Sequence, residues 1–152
     1  MSIQIVDRPA LTVVGVGIRT QPMSAEIPAL WPRFVSRIEE IGNPLEPRVS
    51  YGVMRYEAGA SPVLHYMAAV SVETAGRVPE GMTSLTLLPG TYARFTYPLN
   101  KLGEGFGEIH DQLLPASPYL QAEGHFFERY DEAFDPAKPE SLVEIYIPVR
   151  RR

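Results

Sequence analysis

Residues 54–57 read MRYE and residues 128–131 read ERYD, and the two stretches stand at matching places in two halves of the chain. Each lies in a strand-like run that follows a helical segment and precedes another strand-like run. Shared β-composition is an alternative explanation for such a short match. The order of elements nevertheless favours a duplication, with pseudo-repeats of about residues 1–75 and 80–150, in which Met54 and Glu128 occupy equivalent positions.

The first half predicts a hairpin, a helix and two further strands. The run ALTVVGVGI follows Arg8-Pro9 and is rich in β-branched residues, which favours strand structure. Apolar residues then recur at helical spacing, with Ser24 as the expected cap and Gly42 as the stop. The stretch AGASP predicts a turn between the last two strands. The elements are expected over residues 3–19, 27–41, 51–57 and 64–72.

The second half repeats this order. Its first two strands flank the turn Pro89-Gly90. The helix that follows is weaker, because Gly103, Gly105 and Gly107 each cost about 1 kcal/mol relative to alanine. The elements are expected over residues 82–88, 91–97, 99–114, 125–131 and 142–149.

The composition describes an ordinary globular protein with one compact body. The 152 residues are 45% hydrophobic and 21% charged, enough for a sizeable core. Cysteine is absent, which excludes disulfide scaffolds, thiolate metal sites and cysteine nucleophiles. The net charge of -4 argues against a nucleic-acid surface, and the one basic run, residues 150–152, is expected to be a frayed, solvated tail.

Several functional classes lack support in the sequence. Neither a signal peptide nor an apolar run of membrane-spanning length occurs, so the chain is expected to be cytoplasmic. No helix-turn-helix precedes Ile3, so direct nucleic-acid binding is not expected. His65, His110 and His125 lack paired ligand spacing and are interpreted as solvated or core residues, so no metal is predicted. Glycine-rich phosphate loops and G-x-S-x-G are absent, and no cofactor is predicted.

Strand alternation places one acid among aromatic residues. In the run at residues 125–131, Phe126, Glu128 and Tyr130 share one side, while Phe127 lies on the other. A carboxylate on a half-buried strand has to be solvated, paired, protonated or kept for a ligand. Glu128 is therefore the first candidate for a functional residue.

Neighbouring strands are expected to add to this surface. Glu144 and Tyr146 share a side of the last strand and are expected near Glu128 if the two strands are adjacent. Met54 and Tyr66 are expected on the same surface, which becomes a concave wall of tyrosine, methionine and carboxylate suited to an organic cation. A plain solvated sheet face is the alternative interpretation.

Six stretches, taken in order, resemble the GyrI-like family, also called the AraC or MerR effector-binding domain, over about residues 3–149. They are DRPALTVVGV, LWPRFVSRI, YGV, PEGMTSLTLLPGTYARF, FFERYD and VEIYIPV. The resemblance implies an α+β fold of duplicated β-hairpin, helix and two-strand modules of the SHS2 type within a single domain. It also implies an antiparallel sheet with helices on its outer face and a central ligand groove.

The resemblance further implies that Glu128 lies at a pocket floor among aromatic residues. The segment HYMAAV departs from the commoner Y-x-A-G pattern, because Ala69 replaces the glycine. Trp31 has a second explanation as a core anchor of an amphipathic helix. The candidate ligand-binding residues are Glu128, Tyr130, Tyr146, Tyr66, Met54, Tyr51, Trp31, Phe34 and Tyr92.

Three functions are compatible with these observations. The first is a stand-alone binding protein for hydrophobic organic cations, acting as a sensor or sink. The second is a hydrolase of strained, cyclopropanoid-type rings, with Glu128 as the catalytic base and Tyr66, Tyr130 or Tyr146 as the hydrogen-bond donor. The third is an interaction protein that acts on DNA gyrase or a regulator, as the family name suggests.

Overall fold

The computed structural model describes residues 3–57 and 63–152, so the predicted AGASP turn lies outside the described residues. Nine strands and two α-helices make up this part of the chain. The strands are β1 (Gln4–Arg8), β2 (Leu11–Thr20), β3 (Ser50–Tyr56), β4 (Leu64–Val72), β5 (Thr83–Leu87), β6 (Gly90–Pro98), β7 (Tyr119–Gln121), β8 (Phe126–Tyr130) and β9 (Leu142–Arg151). The helices are α1 (Glu26–Val35) and α2 (Leu102–Glu108).

All strand pairs are antiparallel, and the sheet has the order β1-β6-β9-β8-β3-β4-β2-β5, with β7 paired to β9. If β1, β2, β3 and β4 are exchanged with β5, β6, β8 and β9, this order is simply reversed. The two halves of the chain therefore contribute equivalent strands around the central β3–β8 pair. The predicted α+β class is confirmed.

The two strands of each expected hairpin do not pair with each other, which corrects that part of the prediction. Strand β1 pairs with β6, and β2 pairs with β4 and β5. Pro9 fixes its own φ angle and favours an extended residue before it, so the chain continues instead of reversing. In a flat sheet β1 and β2 would stand about 29 Å apart. Because the two-residue link spans at most about 11 Å, the sheet must curve strongly.

Helix α1 forms where the apolar stripe predicts it, although it ends earlier than expected. Leu30 and Phe34 are fully buried on the sheet. Ser24 accepts a hydrogen bond from the Glu26 amide at the start of the helix, as a cap does. The α-helix ends at Val35, and a short 3-10 turn, Ile38–Glu40, continues the chain.

The second helical segment spans the predicted region in three short pieces. A 3-10 turn at Leu99–Lys101 leads into α2, and a π turn at Ile109–Leu113 follows it. Gly105 has a packing role here, because a Cβ atom at this position would lie 2.7 Å from the Tyr97 ring. Glycine lets α2 approach β6 closely, at the cost of helix propensity.

The basic terminus is ordered, contrary to the expectation of a frayed tail. Strand β9 extends to Arg151, and Arg150 and Arg151 pair with β7, a strand that the sequence analysis missed. Arg152 donates a hydrogen bond to the Ser117 carbonyl. None of the helices in the described residues is long and apolar enough to cross a membrane.

The sheet packs apolar side chains on both faces. On the face that carries α1 and α2, buried strand residues include Met54, Tyr66, Phe126 and Ile145. The opposite face carries a second cluster that includes Tyr51, Phe127, Tyr92 and Tyr146. Strand alternation therefore separates the predicted site residues into two groups.

Candidate functional site

Glu128 lies on β8 on the helix-bearing face of the sheet, and its residue is only 5% exposed. Its Oε1 atom accepts hydrogen bonds from the hydroxyl groups of Tyr66 (2.9 Å) and Tyr130 (2.7 Å). The sequence pattern placed Glu128 and Tyr130 on one side of the strand, and this arrangement is confirmed. Neighbouring strands β3 and β4 bring Tyr66 into the same group.

The second carboxyl oxygen of Glu128, Oε2, accepts no hydrogen bond from the described residues. No side-chain polar atom there is both unpaired and sealed from solvent, so Oε2 stays in contact with solvent. One oxygen of Glu128 is therefore held by the protein, while the other keeps a small exposed area and has no hydrogen-bond donor among the described residues.

Aromatic rings surround this carboxyl group. The Trp31 indole donates a hydrogen bond to the Tyr66 hydroxyl (3.1 Å), and this hydroxyl in turn donates a hydrogen bond to Glu128. The Trp31 ring also stands edge-on to Tyr130, with 5.4 Å between centroids, and to Phe34 at 6.2 Å. Helix α1 thereby places an aromatic wall over β8. The predicted set of Glu128, Tyr130, Tyr66, Trp31 and Phe34 is brought together.

Gly52 makes room for the hydrogen bond between Tyr66 and Glu128. It pairs with Glu128 across β3 and β8. A Cβ atom at this position would overlap the Tyr66 hydroxyl and lie 2.5 Å from Oε1 of Glu128. Gly52 was not among the predicted site residues, although a glycine inside a strand often marks close approach of another group.

Burial makes the carboxyl group of Glu128 a weaker acid than an ordinary glutamate. The loss of solvent raises the pKa of Glu128 to about 7, against the opposing effect of the hydrogen bonds from Tyr130 and Tyr66. Burial also raises the pKa of Tyr66 and Tyr130 well above the usual value, so both hydroxyls stay protonated as donors. Near neutral pH, Glu128 can therefore hold either a proton or a cation.

No cationic side chain in the described ranges forms an ion pair with Glu128. The adjacent Arg129 points to the opposite face. There it forms ion pairs with Glu46 (2.8 Å) and Glu144 (3.1 Å). The charge of Arg129 is thus neutralised on the other side of the sheet, and Glu128 has no counter-ion among residues 3–57 and 63–152.

The expectation that Glu144 and Tyr146 lie beside Glu128 is wrong. Strands β8 and β9 are adjacent, but their register pairs Glu128 with Ile145 and Phe127 with Tyr146. Because the side-chain period of a strand is two, this register turns Glu144 and Tyr146 to the opposite face. The structure therefore does not bring Tyr146 to the acid as a ligand contact or catalytic donor.

Tyr51 and Tyr92 also lie on the opposite face. Their rings stand edge-on to Phe127, with centroids 5.7 and 5.5 Å away, while Tyr146 stacks on Phe127 at 4.8 Å. The Arg8 guanidinium lies 4.7 Å from the centre of the Tyr146 ring. This buried aromatic group lies across the sheet from the Glu128 site.

Met54 lies on the Glu128 face but two register pairs further along the strands, opposite Phe126. Phe126 in turn stacks on Tyr56, which is half exposed, and contacts Phe106 of α2 edge-on. Aromatic residues thus continue from Glu128 towards α2 along the sheet surface. Tyr56 and Phe106 are additions to the predicted set.

Two surface clefts lie elsewhere. A cleft of about 660 Å³ is formed by the segment around Gly76 and Pro79, and one of about 350 Å³ lies on the face opposite Glu128. Glu128 lines neither. Only 5% of Glu128 is exposed, and Trp31, Tyr66 and Tyr130 surround its carboxyl group, so a bulky ligand would have to displace some of these side chains.

Comparison with known proteins identifies the relatives of this chain. The sequence profile of the GyrI-like small molecule binding domain matches residues 1–150. The transcriptional regulator BrlR of Pseudomonas aeruginosa (strain PAO1) is 35% identical over 152 residues, covering 98% of this chain. The chain spans 56% of the length of BrlR.

Two solved structures share the fold. SAV2435 bound to tetraphenylphosphonium has a TM-score of 0.78 and 20% identity, covering 99% of this chain and 94% of its own. The C-terminal domain of EcmrR has a TM-score of 0.72 and 14% identity, and the match covers 99% of this chain and 98% of that domain.

Proposed function

Because the chain belongs to the GyrI-like family of small-molecule-binding domains, we propose that it binds hydrophobic organic cations at Glu128. One observation carries the proposal: within the part of the chain that the structure describes, a buried carboxyl group has tyrosine hydroxyls as its partners and no counter-ion. Burying an ionised carboxylate is costly unless a positive charge accompanies it. A ligand cation supplies that charge, and the rings of Trp31 and Tyr130 supply cation–π contacts and apolar area.

At neutral pH the protonated and ionised forms of Glu128 are present in similar amounts before binding, since the pKa of Glu128 is about 7. A cation that reaches Oε2 selects the ionised form and releases the proton. The aromatic rings that now surround the acid move to admit the ligand. Two of them are half-buried: Tyr130, which is hydrogen-bonded to Glu128, and Trp31, which is hydrogen-bonded to Tyr66. The chain thereby acts as a sensor, if a partner or further segment responds to this movement, or as a sink.

Tetraphenylphosphonium is the suitable probe, because SAV2435 is bound to this lipophilic cation. Isothermal titration calorimetry would compare the wild-type chain with Glu128→Gln, which keeps the acceptor oxygen for both tyrosines but removes the charge. We expect the substitution to weaken binding at least about tenfold, as loss of a buried charge pair does. Glu140→Gln, at an exposed acid, is the matched control. Equal affinity in wild type and Glu128→Gln would overturn the proposal.

Hydrolysis of a strained, electrophilic ring is the second candidate, favoured by the pKa of Glu128 near neutrality. In this reaction Glu128 takes a proton from water as the oxygen attacks a ring carbon. The ring bond to that carbon breaks, and its electron pair stays on the other ring carbon. Glu128 then gives this second carbon the proton that it took from water. Tyr66 or Tyr130 would stabilise the developing charge, whereas Tyr146 lies on the other face. Turnover lost in Glu128→Gln with binding kept would favour the hydrolase over the receptor.

A further inference from the structure

Three adjacent strands and the residue before a fourth carry a row of basic residues on the face opposite Glu128. In register, Arg55 on β3 lies beside His65 on β4, and His65 lies beside Arg19 on β2. His125 immediately precedes β8, the other neighbour of β3, and extends the row on the far side of Arg55. Like charges on directly opposed residues destabilise a sheet, so such a row calls for an explanation.

This row borders a cleft of about 350 Å³, which we call the basic groove. Arg19, Arg55, His65 and His125 all line it. The next register row, between the basic residues and the core, consists of Val53, Met67 and Gly17. The first two give the groove an apolar floor, and the glycine leaves it open on the β2 side. The groove therefore offers positive charge beside an apolar surface.

The positive charge of the basic groove is only partly neutralised within the protein. Glu57 forms an ion pair with Arg19 and a hydrogen bond with His65 (2.6 Å), and these hydrogen bonds lower the pKa of Glu57 to about 2. Arg55 has no carboxylate within ion-pair distance among residues 3–57 and 63–152. Residues 58–62, AGASP, contain no acid. Arg55 is thus an exposed guanidinium with no acidic partner.

His125 responds to the same surplus of charge. Burial, together with the positive charges of Arg55 and His65, lowers the pKa of His125. An anion in the groove would relieve this repulsion and let His125 act as a further donor.

We propose that the basic groove is a second binding site, for an amphipathic organic anion. The carboxylate, sulfonate or phosphate group of this ligand lies against Arg55 and His125, and its ring or chain covers Val53 and Met67. Guanidinium is suited to such groups because it presents several donors in a plane. The site lies across the sheet from Glu128 and does not rest on the proposed cation binding.

The experiment uses 8-anilinonaphthalene-1-sulfonate, whose fluorescence rises in an apolar site, on the folded full chain. Its uncharged counterpart, 1-anilinonaphthalene, has the same rings without the sulfonate. We expect saturable binding of the anion and at least about tenfold weaker binding of the neutral probe, the scale of one charged hydrogen bond. Equal affinity for the two probes, or no saturable binding of the anion, would overturn the proposal.

Two arginine variants locate the site. Arg55→Gln should weaken binding of the sulfonate about tenfold, and because Arg55 is exposed the variant is expected to fold normally. Arg48→Gln, another exposed arginine outside the groove, should bind as wild type does. Glu128→Gln should also leave sulfonate binding unchanged, which separates this outcome from failure of the cation site. An unchanged affinity in Arg55→Gln would contradict the assignment.

Discussion

Glu128 and Arg129 are consecutive in the chain, yet their charged groups lie on opposite faces of the sheet. Arg129 pairs with Glu46 and Glu144, while Glu128 receives only tyrosine hydroxyls from the described residues. The alternation of a β-strand therefore keeps apart two charges that would neutralise each other on a flexible chain. The acid is thereby left without a cationic partner in the described part of the chain.

Arg129→Gln is expected to affect stability without affecting the cation site. The variant removes the ion pairs that Arg129 makes with two half-buried carboxylates. Among the described residues, Glu46 then keeps only hydroxyl donors and Glu144 keeps the more distant Arg94 (3.9 Å) as its cation, so the free energy of unfolding should fall by about 1–3 kcal/mol. Urea denaturation measures this change, with Arg48→Gln as the control. Affinity for tetraphenylphosphonium should stay within about twofold of wild type, a difference of no more than about 0.4 kcal/mol. A large loss of cation affinity would show that the two faces are not independent.

Glu128→Gln is expected to stabilise the protein at alkaline pH. The folded-state pKa of Glu128, about 7, exceeds its ordinary value of 4.5, so the folded state holds the proton more tightly. Wild-type stability should therefore fall as pH rises from about 4.5 to 7 and then level off, by a component on the order of 3 kcal/mol. Denaturation of both proteins at pH 4.5 and pH 8 measures the difference, which should be largest at pH 8. A difference of the same size at both pH values would contradict the assigned pKa.

Cation affinity should follow the ionisation of the same group. With a pKa of about 7, the ionised fraction of Glu128 rises about tenfold between pH 6 and pH 8, and the association constant for tetraphenylphosphonium should rise with it. Calorimetry in buffers with different ionisation enthalpies would also count the released proton. In Glu128→Gln the affinity should be independent of pH over this range. A persistent slope in that variant would assign the titration to another group.

Gly52→Ala should damage both stability and the site. The new methyl group would overlap the Tyr66 hydroxyl and crowd Oε1 of Glu128, so unfolding free energy should fall by about 1–3 kcal/mol. Gly107→Ala in α2 is a control with the opposite sign, because no atom lies within 4 Å of its added Cβ and alanine favours the helix by about 0.5–1 kcal/mol. Thermal and urea denaturation compare the two. Equal stability of Gly52→Ala and wild type would argue against the close approach.

Trp31 should report ligand binding at Glu128 directly. It is the one tryptophan in the sequence, and its indole is hydrogen-bonded to Tyr66 beside the acid. Tetraphenylphosphonium should change its emission with the dissociation constant obtained by calorimetry. If calorimetry detects binding while the emission stays constant, the ligand binds away from Trp31 and the site assignment fails.

Local patterns predicted the elements of this fold well. Short-range periodicity is visible in the order of residues within one element. It predicted the apolar stripe that ends in Phe34 and the alternation of Phe126, Glu128 and Tyr130. Pairing between strands depends on the whole chain. Nothing near Pro9 indicates that β1 pairs with β6, about eighty residues away, so the hairpin interpretation followed from proximity in sequence alone.

Only part of the candidate site could be predicted, because its geometry also depends on pairing between distant strands. Tyr66 and Trp31 were named from pattern and resemblance, and the structure places them at Glu128. Tyr146 was assigned to the wrong face because the register between β8 and β9 is not encoded in either strand by itself. Gly52 was missed because its role appears only when the Tyr66 hydroxyl and the Glu128 carboxyl converge on it.

The exchange of β1 and β5 between the two halves has a kinetic consequence. Pairs such as Gln4 with Arg94 join residues far apart in the sequence, so a long loop has to close before β1 gains any partner. A nascent first half would display unpaired strand edges until the second half emerges, and such edges are templates for intermolecular association. Synthesis and assembly are thereby coupled, and neither half is expected to persist as a folded fragment.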